Sequence, residues 1–274
     1  MVKIISLLEN TTSSKQYKKE HGLSLYIETP NHKVLFDVGP SRKFLLNACK
    51  MGISIEDVDI LVLSHGHQDH VGGLKAFLRV NKKAKIYIRK NALDRHYIRV
   101  LGFYISIGLK YHKFNKERFI FTNDIEKIDD ELMLFSHVKM EGELPKSNQK
   151  LFKKKEDGKI VQDDFSHEQN LIVSLQSMNF LFSGCSHAGI LNILKKASSI
   201  CGPIFLAVGG FHLFNPPTKK YESDTFIDSL AEQLNKTTTL FYTCHCTGKK
   251  AYERMKIVLP QQLYYLHTGD HIEF

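Results

Sequence analysis

Three histidines and an aspartate fall within six residues, His65-Gly66-His67-Gln68-Asp69-His70, directly behind an apolar run. No other feature restricts this chain as strongly. Imidazole and carboxylate are metal donors, and donors this close in sequence converge only where the backbone bends between them. Residues 59–63 read as a short buried strand, and 72–80 as a helix, so the run sits on a strand-to-helix turn. His65 and His67, two apart in extended chain, face one side. Asp69 and His70, entering the helix, face a neighbouring second position. Gly66, Gly72 and Gly73 let the backbone turn tightly. With fourteen histidines in 274 residues, isolated pairs arise by chance; this pattern behind an apolar strand does not.

The flanking chain alternates strands and helices. Strands are expected at 3–8, 23–28, 33–36 and 85–89, the middle two forming a hairpin across Thr29-Pro30-Asn31-His32. A helix at 41–51 has Ser41 as cap and Gly52 as stop. Beyond residue 170 a hairpin (170–175 and 179–182, around Ser177-Met178) leads into helices at 188–199, 223–234 and 248–256. Strands at 203–208, 239–243, 263–266 and 271–274 lie between and after them. The pattern is that of an α/β domain with two sheets covered by helices. Between about 91 and 160 the alternation is lost, and this stretch, with its lysine-rich segment 146–155, is read as an insertion or lid in a single domain spanning 1–274.

Further donors must come from downstream. His187 and His245 each follow an apolar strand, where a loop reaches the site, and both are expected metal ligands. Asp37 ends another apolar strand. It either caps a turn or accepts a hydrogen bond from a ligating histidine. His212, behind the paired glycines Gly209 and Gly210, is expected to contact substrate or transfer a proton, with a structural histidine as the competing reading. Cys244-His245-Cys246 is not expected to hold a structural zinc, because neighbours on a strand alternate faces.

Composition bounds the partners. A formal charge of +9 attracts phosphates, nucleic acid or acidic membranes, although surface lysines alone account for such a balance. No nucleic-acid-binding appendage is recognisable, so a small anionic substrate is expected, without nucleic acid or membrane; a homo-oligomer stays open. Five cysteines, an odd number without a disulfide spacing, fit a reducing cytoplasm. Neither a signal peptide nor a run of membrane-spanning length is legible.

The segments Glu9-Asn10, His21-Gly22-Leu23-Ser24, Leu35–Gly39, Ser64–Leu74, Ser183–Ile190, Gly209–Leu213 and His245–Gly248 together resemble the metallo-β-lactamase superfamily. They are most similar to the branch named for 7,8-dihydropterin-6-methyl-4-(β-D-ribofuranosyl)aminobenzene 5′-phosphate synthase. The resemblance implies an αββα sandwich of two mixed sheets and a two-metal site at one edge. It implies His65, His67, Asp69, His70, His187 and His245 as metal ligands, Asp37 behind them, and Asp69 and His212 as the catalytic groups. Zinc is the expected ion, with manganese or iron as alternatives. Many members carry a metal-bridging aspartate where this chain has Gly184-Cys185, so Cys185 is either a thiolate ligand or a bystander, and occupancy by one ion stays open. His167, near another ligand position of the superfamily, is a further candidate. The implied activity is metal-dependent hydrolysis of a small phosphorylated or cyclic ester. The alternatives are transfer of a dihydropterin to a ribofuranosylaminobenzene phosphate with loss of pyrophosphate, or a non-catalytic metal-binding sensor.

Overall fold

The computed structural model describes residues 1–110 and 117–274. Among them, two seven-stranded sheets face each other. The first runs His271–Glu273, Lys3–Leu8, Ser24–Glu28, Lys33–Phe36, Ile60–Val62, Lys85–Ile88, Phe119–Phe121. Its first three pairings are antiparallel and its last three parallel. The second runs Leu263–Tyr265, Leu240–Thr243, Leu206–Gly209, Met178–Phe182, Gln169–Leu175, Leu132–Ser136, Ile125–Lys127, with three parallel pairings followed by three antiparallel ones.

The period of two along each strand builds three apolar layers. Val34 and Phe36 enter the layer between the sheets, with Phe180 and Phe182 opposite. Leu35, between them in sequence, faces the helices Lys43–Lys50 and Leu74–Val80 instead. Leu181 likewise turns outward, toward Ile190–Cys201, Asp224–Asn235 and Lys249–Val258. Those helices present stripes at helical spacing: Ile190, Ile193, Leu194 and Ala197 are buried on one, Phe226, Ile227, Leu230, Ala231 and Leu234 on another. The result is an αββα sandwich. Parallel strands joined through helices bring their carboxyl ends to one edge, where α/β sheets bind ligands. Asp37, His65, Cys185, His187, His212 and His245 all lie just beyond such ends.

Several boundaries differ from expectation. The helix expected at 41–51 begins at Lys43; the Ser41 hydroxyl still accepts from the Lys43 N–H at 3.3 Å. The helix expected from Gly72 is preceded by a turn, Gln68–Val71, which carries Asp69 and His70. The second hairpin turns at Gln176-Ser177, both with positive φ, one residue earlier than read from sequence. Within the stretch read as an insertion, residues 119–136 contribute strands to both main sheets. The rest of its described part forms a separate sheet, Ile160–Gln162, Leu151–Lys154, His96–Val100, Phe103–Ser106; residues 111–116 lie outside the described residues. No described helix is long and apolar enough to cross a membrane, and all five cysteines are free thiols.

Candidate metal centre

The strand Ile60–Val62 aims the chain at the site, and Gly66 lets it pass. A Cβ on Gly66 would lie 2.4 Å from the Ala92 carbonyl oxygen. Gly184 is held as tightly: its Cβ would fall 2.3 Å from the Ser64 hydroxyl, against the loop that carries His65. Asp37, His212 and His245 adopt positive φ, the left-handed region that L residues seldom occupy. The fold imposes this conformation at three of the positions singled out from sequence.

Hydrogen bonds set the histidine tautomers. The Ser64 hydroxyl donates to Asp37 Oδ2 at 2.7 Å, so it accepts from His65 Nδ1–H at 2.9 Å. His70 Nδ1–H donates to the same carboxylate at 2.6 Å. His187 Nδ1–H donates to Asn148 Oδ1 at 3.1 Å, and His245 Nδ1–H to Asn10 Oδ1 at 2.9 Å. All four rings are thereby fixed with Nε2 turned toward the site, the arrangement a ligating histidine needs. Asp37 thus stands behind two histidines of the run.

These nitrogens converge. The His65 and His187 rings lie 5.1 Å apart, with His67 4.6 Å from the first and 5.0 Å from the second. Nε2 of all three is buried without a hydrogen-bond partner. Beside them, His70 Nε2 lies 3.2 Å from His245 Nε2, which is 3.3 Å from Asp69 Oδ2. Cys185 stands between the groups: its sulfur is within 4.8 Å of donors from His65 and His187, and equally of donors from Asp69, His70 and His245. Orphaned buried imidazole nitrogens are costly unless something binds them. The donor set, imidazoles with one carboxylate and one thiol, therefore fits divalent ions at two adjoining positions.

Electrostatics agree. Burial, then neighbouring imidazoles, hold His65, His67 and His187 well below the usual histidine pKa, so these rings are neutral and able to ligate. Burial opposes a charge on Asp69 too, but His70, His21 and His245 outweigh it and hold the carboxyl well below its ordinary range. At His70 burial is overcome by the Asp37 and Asp69 carboxylates, which raise its pKa to about 9; the proton favoured there is one a cation would displace.

A second buried cluster adjoins the first. His96 Nδ1–H and His167 Nε2–H donate to Asp163 Oδ2 at 3.0 and 3.2 Å. The Gly66 N–H donates to His167 Nδ1 at 3.1 Å, and His96 Nε2 faces the Asn91 carbonyl at 3.3 Å. Every ring nitrogen here is engaged. His167 therefore pins the His65–His67 loop through its backbone, with no lone pair left over for a metal.

A cavity of about 390 Å³ opens on the donors, lined by His67, Asp69, Cys185, His187 and His212 together with the apolar Ile98, Ile107, Leu151, Phe214 and Pro216. Both ring nitrogens of His212 are buried without partners, and its ring lies 4.3 Å from that of His187.

A sequence profile of the metallo-β-lactamase superfamily matches residues 18–143. A solved metal-dependent hydrolase of the β-lactamase superfamily superposes with a TM-score of 0.83 at 29% identity, covering 100% of this chain and 99% of that one. The chain carries the metallo-β-lactamase fold and is similar to members of that superfamily. It is 28% identical, over 100% of its length and 97% of the relative's, to 7,8-dihydropterin-6-methyl-4-(β-D-ribofuranosyl)-aminobenzene-5′-phosphate synthase of Methanocaldococcus jannaschii. The Zn(2+)-bound PqqB from Methylobacterium extorquens shares the fold, with a TM-score of 0.59 at 10% identity and coverage of 99% and 100%.

The structure brings His67, Asp69, Cys185, His187 and His212 to the cavity, packs His65, His70 and His245 against them and sets Asp37 behind. Sequence reasoning missed several neighbours. His21 Nε2 lies 3.2 Å from Asp69 Oδ2. Glu168 accepts from the His187 and Ala188 N–H groups, and burial raises its pKa to about 7. Cys246 lies with Cys185 and His212. The strand alternation applied to Cys244–Cys246 does not hold, because His245–Thr247 is a 3₁₀ turn. Cys244 faces the layer between the sheets, while His245 and Cys246 face the site.

Proposed function

We propose that the protein is a metal-dependent hydrolase of a small ester, phosphorylated or cyclic, working with two divalent ions, zinc by preference. The observation that carries this reading is the set of orphaned buried Nε2 atoms of His65, His67 and His187, the last two residues lining an open cavity. Divalent ions held there would supply a Lewis acid and a water acidified toward a pKa of about 7. Five imidazoles and a thiol favour zinc over harder ions. The free thiols fit a cytoplasmic, reducing setting.

The chain's own residues do the rest. Asp37, Ser64, Asn148 and Asn10 hold the imidazoles in one tautomer. Asp69, anchored by His21 and His245, presents a carboxylate oxygen that accepts a hydrogen bond from the attacking water and orients it. His212, with neither nitrogen engaged, passes a proton to the leaving oxygen. The apolar wall of Ile98, Ile107, Leu151 and Phe214 excludes water from the substrate body.

A second reading, transfer of a dihydropterin with loss of pyrophosphate, is supported by the name of the relative from M. jannaschii and by a cavity wall suited to a flat ring. One experiment separates the two. Metal-loaded protein is offered phosphomonoesters, phosphodiesters and lactones, and separately a dihydropterin pyrophosphate with a ribofuranosylaminobenzene phosphate. Chelator-sensitive turnover of an ester supports hydrolysis. Condensation without any ester turnover replaces hydrolysis by transfer, and tight binding with no turnover marks a sensor.

A further inference from the structure

Among the described residues, no lysine or arginine lines the cavity over the metal centre. An anionic group held away from the metal centre therefore needs its countercharge elsewhere. A second cavity of about 500 Å³ adjoins the first and shares Ile98, Asn215 and Pro217 with it. Three cations line it and no carboxylate does: Arg99 comes from the strand His96–Val100, and Lys146 and Lys150 from the 3₁₀ turn Lys146–Lys150. None of the three is ion-paired among the described residues; Arg99 only stands 5.9 Å over the Tyr104 ring. Lys153, in the same lysine-rich segment, is neutralised by Asp164 at 2.5 Å, and Lys155 lines a different, shallow cleft. The segment is thus divided into lysines that are paired or turned away and lysines that face this cavity.

The boundary between the cavities carries an independent signal. Ser147 and Asn215 are each only 8% exposed, yet Ser147 Oγ and Asn215 Oδ1 have no hydrogen-bond partner. Thr218 Oγ1, on the second cavity, is also buried and unpartnered. Buried polar atoms are nearly always satisfied. Two open hydroxyls beside three unpaired cations are the donors a phosphate monoester requires, and the open Asn215 Oδ1 is an acceptor for a hydroxyl or N–H of the adjoining polar linkage.

We propose that this second cavity is a phosphate subsite, which holds the terminal phosphate monoester of a substrate whose reacting bond lies over the metal centre. The phosphate is then a handle and not the group transferred, and the substrate is an elongated phosphorylated molecule with an apolar middle. The assignment rests on reading the metal centre as the reactive site.

The test uses ribose 5-phosphate and ribose as probes of metal-loaded protein, followed by calorimetry. The variants are R99A, K146A and K150A, singly and combined, all at exposed positions. Each single change is expected to weaken ribose 5-phosphate binding by roughly tenfold and the combination by roughly a hundredfold or more. Metal content and ribose binding should not change, and ribose 5-phosphate binding should survive chelation of the metals. Unchanged binding in the combined variant overturns the subsite. So does binding that vanishes on chelation, which puts the phosphate on the metals and leaves the metal-centre reading intact. Intact, lysine-dependent binding together with no ester turnover sinks the hydrolase reading and leaves the subsite standing.

Discussion

Two buried clusters of histidine and aspartate lie side by side in this protein and differ in one respect. Around His65, His67 and His187 the Nε2 atoms are buried with nothing to bind. Around Asp163, both nitrogens of His96 and of His167 are engaged. The donor atoms of His65, Cys185 and His187 lie within 4.8 Å of one another, and so do those of His67, His96, Asp163 and His167. What separates them is whether a lone pair remains after the protein's own hydrogen bonds are made. The first cluster is left open to a ligand. The second is complete already and stiffens the loop that carries the first. His67 touches both, with its ring 5.0 Å from His187 and 5.3 Å from His167.

The sharpest way to break this contrast is to remove one donor from the first cluster. His187→Ala should cost about one metal equivalent per chain and abolish metal-dependent turnover; full metal retention by elemental analysis would sink the assignment. Asp163→Ala acts on the other cluster. Burial disfavours this charged carboxylate, but His167 and His96 outweigh that and hold its pKa far below the ordinary range. Its loss should destabilise the fold by roughly 3–5 kcal/mol while the metals stay. Denaturant unfolding and metal analysis of one sample check both halves, and metal loss at unchanged stability would make the Asp163 cluster a metal site in its own right.

Smaller effects sharpen the comparison. Asp37→Asn keeps every metal ligand but removes the carboxylate that accepts from His70. Metal affinity should fall by roughly 10–100-fold, read by competition with a chromogenic chelator, with full stoichiometry at saturation. Cys185→Ser should abolish the sulfur-to-metal absorption of cobalt-loaded protein with little change in melting temperature. A wild-type protein lacking that absorption would make Cys185 a bystander lying close to the ions.

The metal-binding run was legible because it is local: a strand, a turn and alternating faces are set by adjacent residues. His187 and His245 were legible for a related reason, since each follows an apolar strand whose end can be read from sequence. Asn10 and Asn148, which set the tautomers of His245 and His187, carry no such signal, because an asparagine in a loop has no pattern marking what it will meet. Asn148 lies 39 residues from the ring it fixes and Asn10 235 residues from its own. Residues 119–136 were misread because their strands are short and only two of them, Phe119–Phe121 and Leu132–Ser136, are plainly apolar.

By itself, then, the sequence determined the donor types, the strand ends that carry them and the layered fold. These follow from periodicity and from chain chemistry within a few residues. Which of the described histidines keep an open lone pair was decided only by the tertiary structure. A lone pair stays open or is filled according to which distant side chain or carbonyl reaches it, and that depends on how the two sheets and the small sheet pack together.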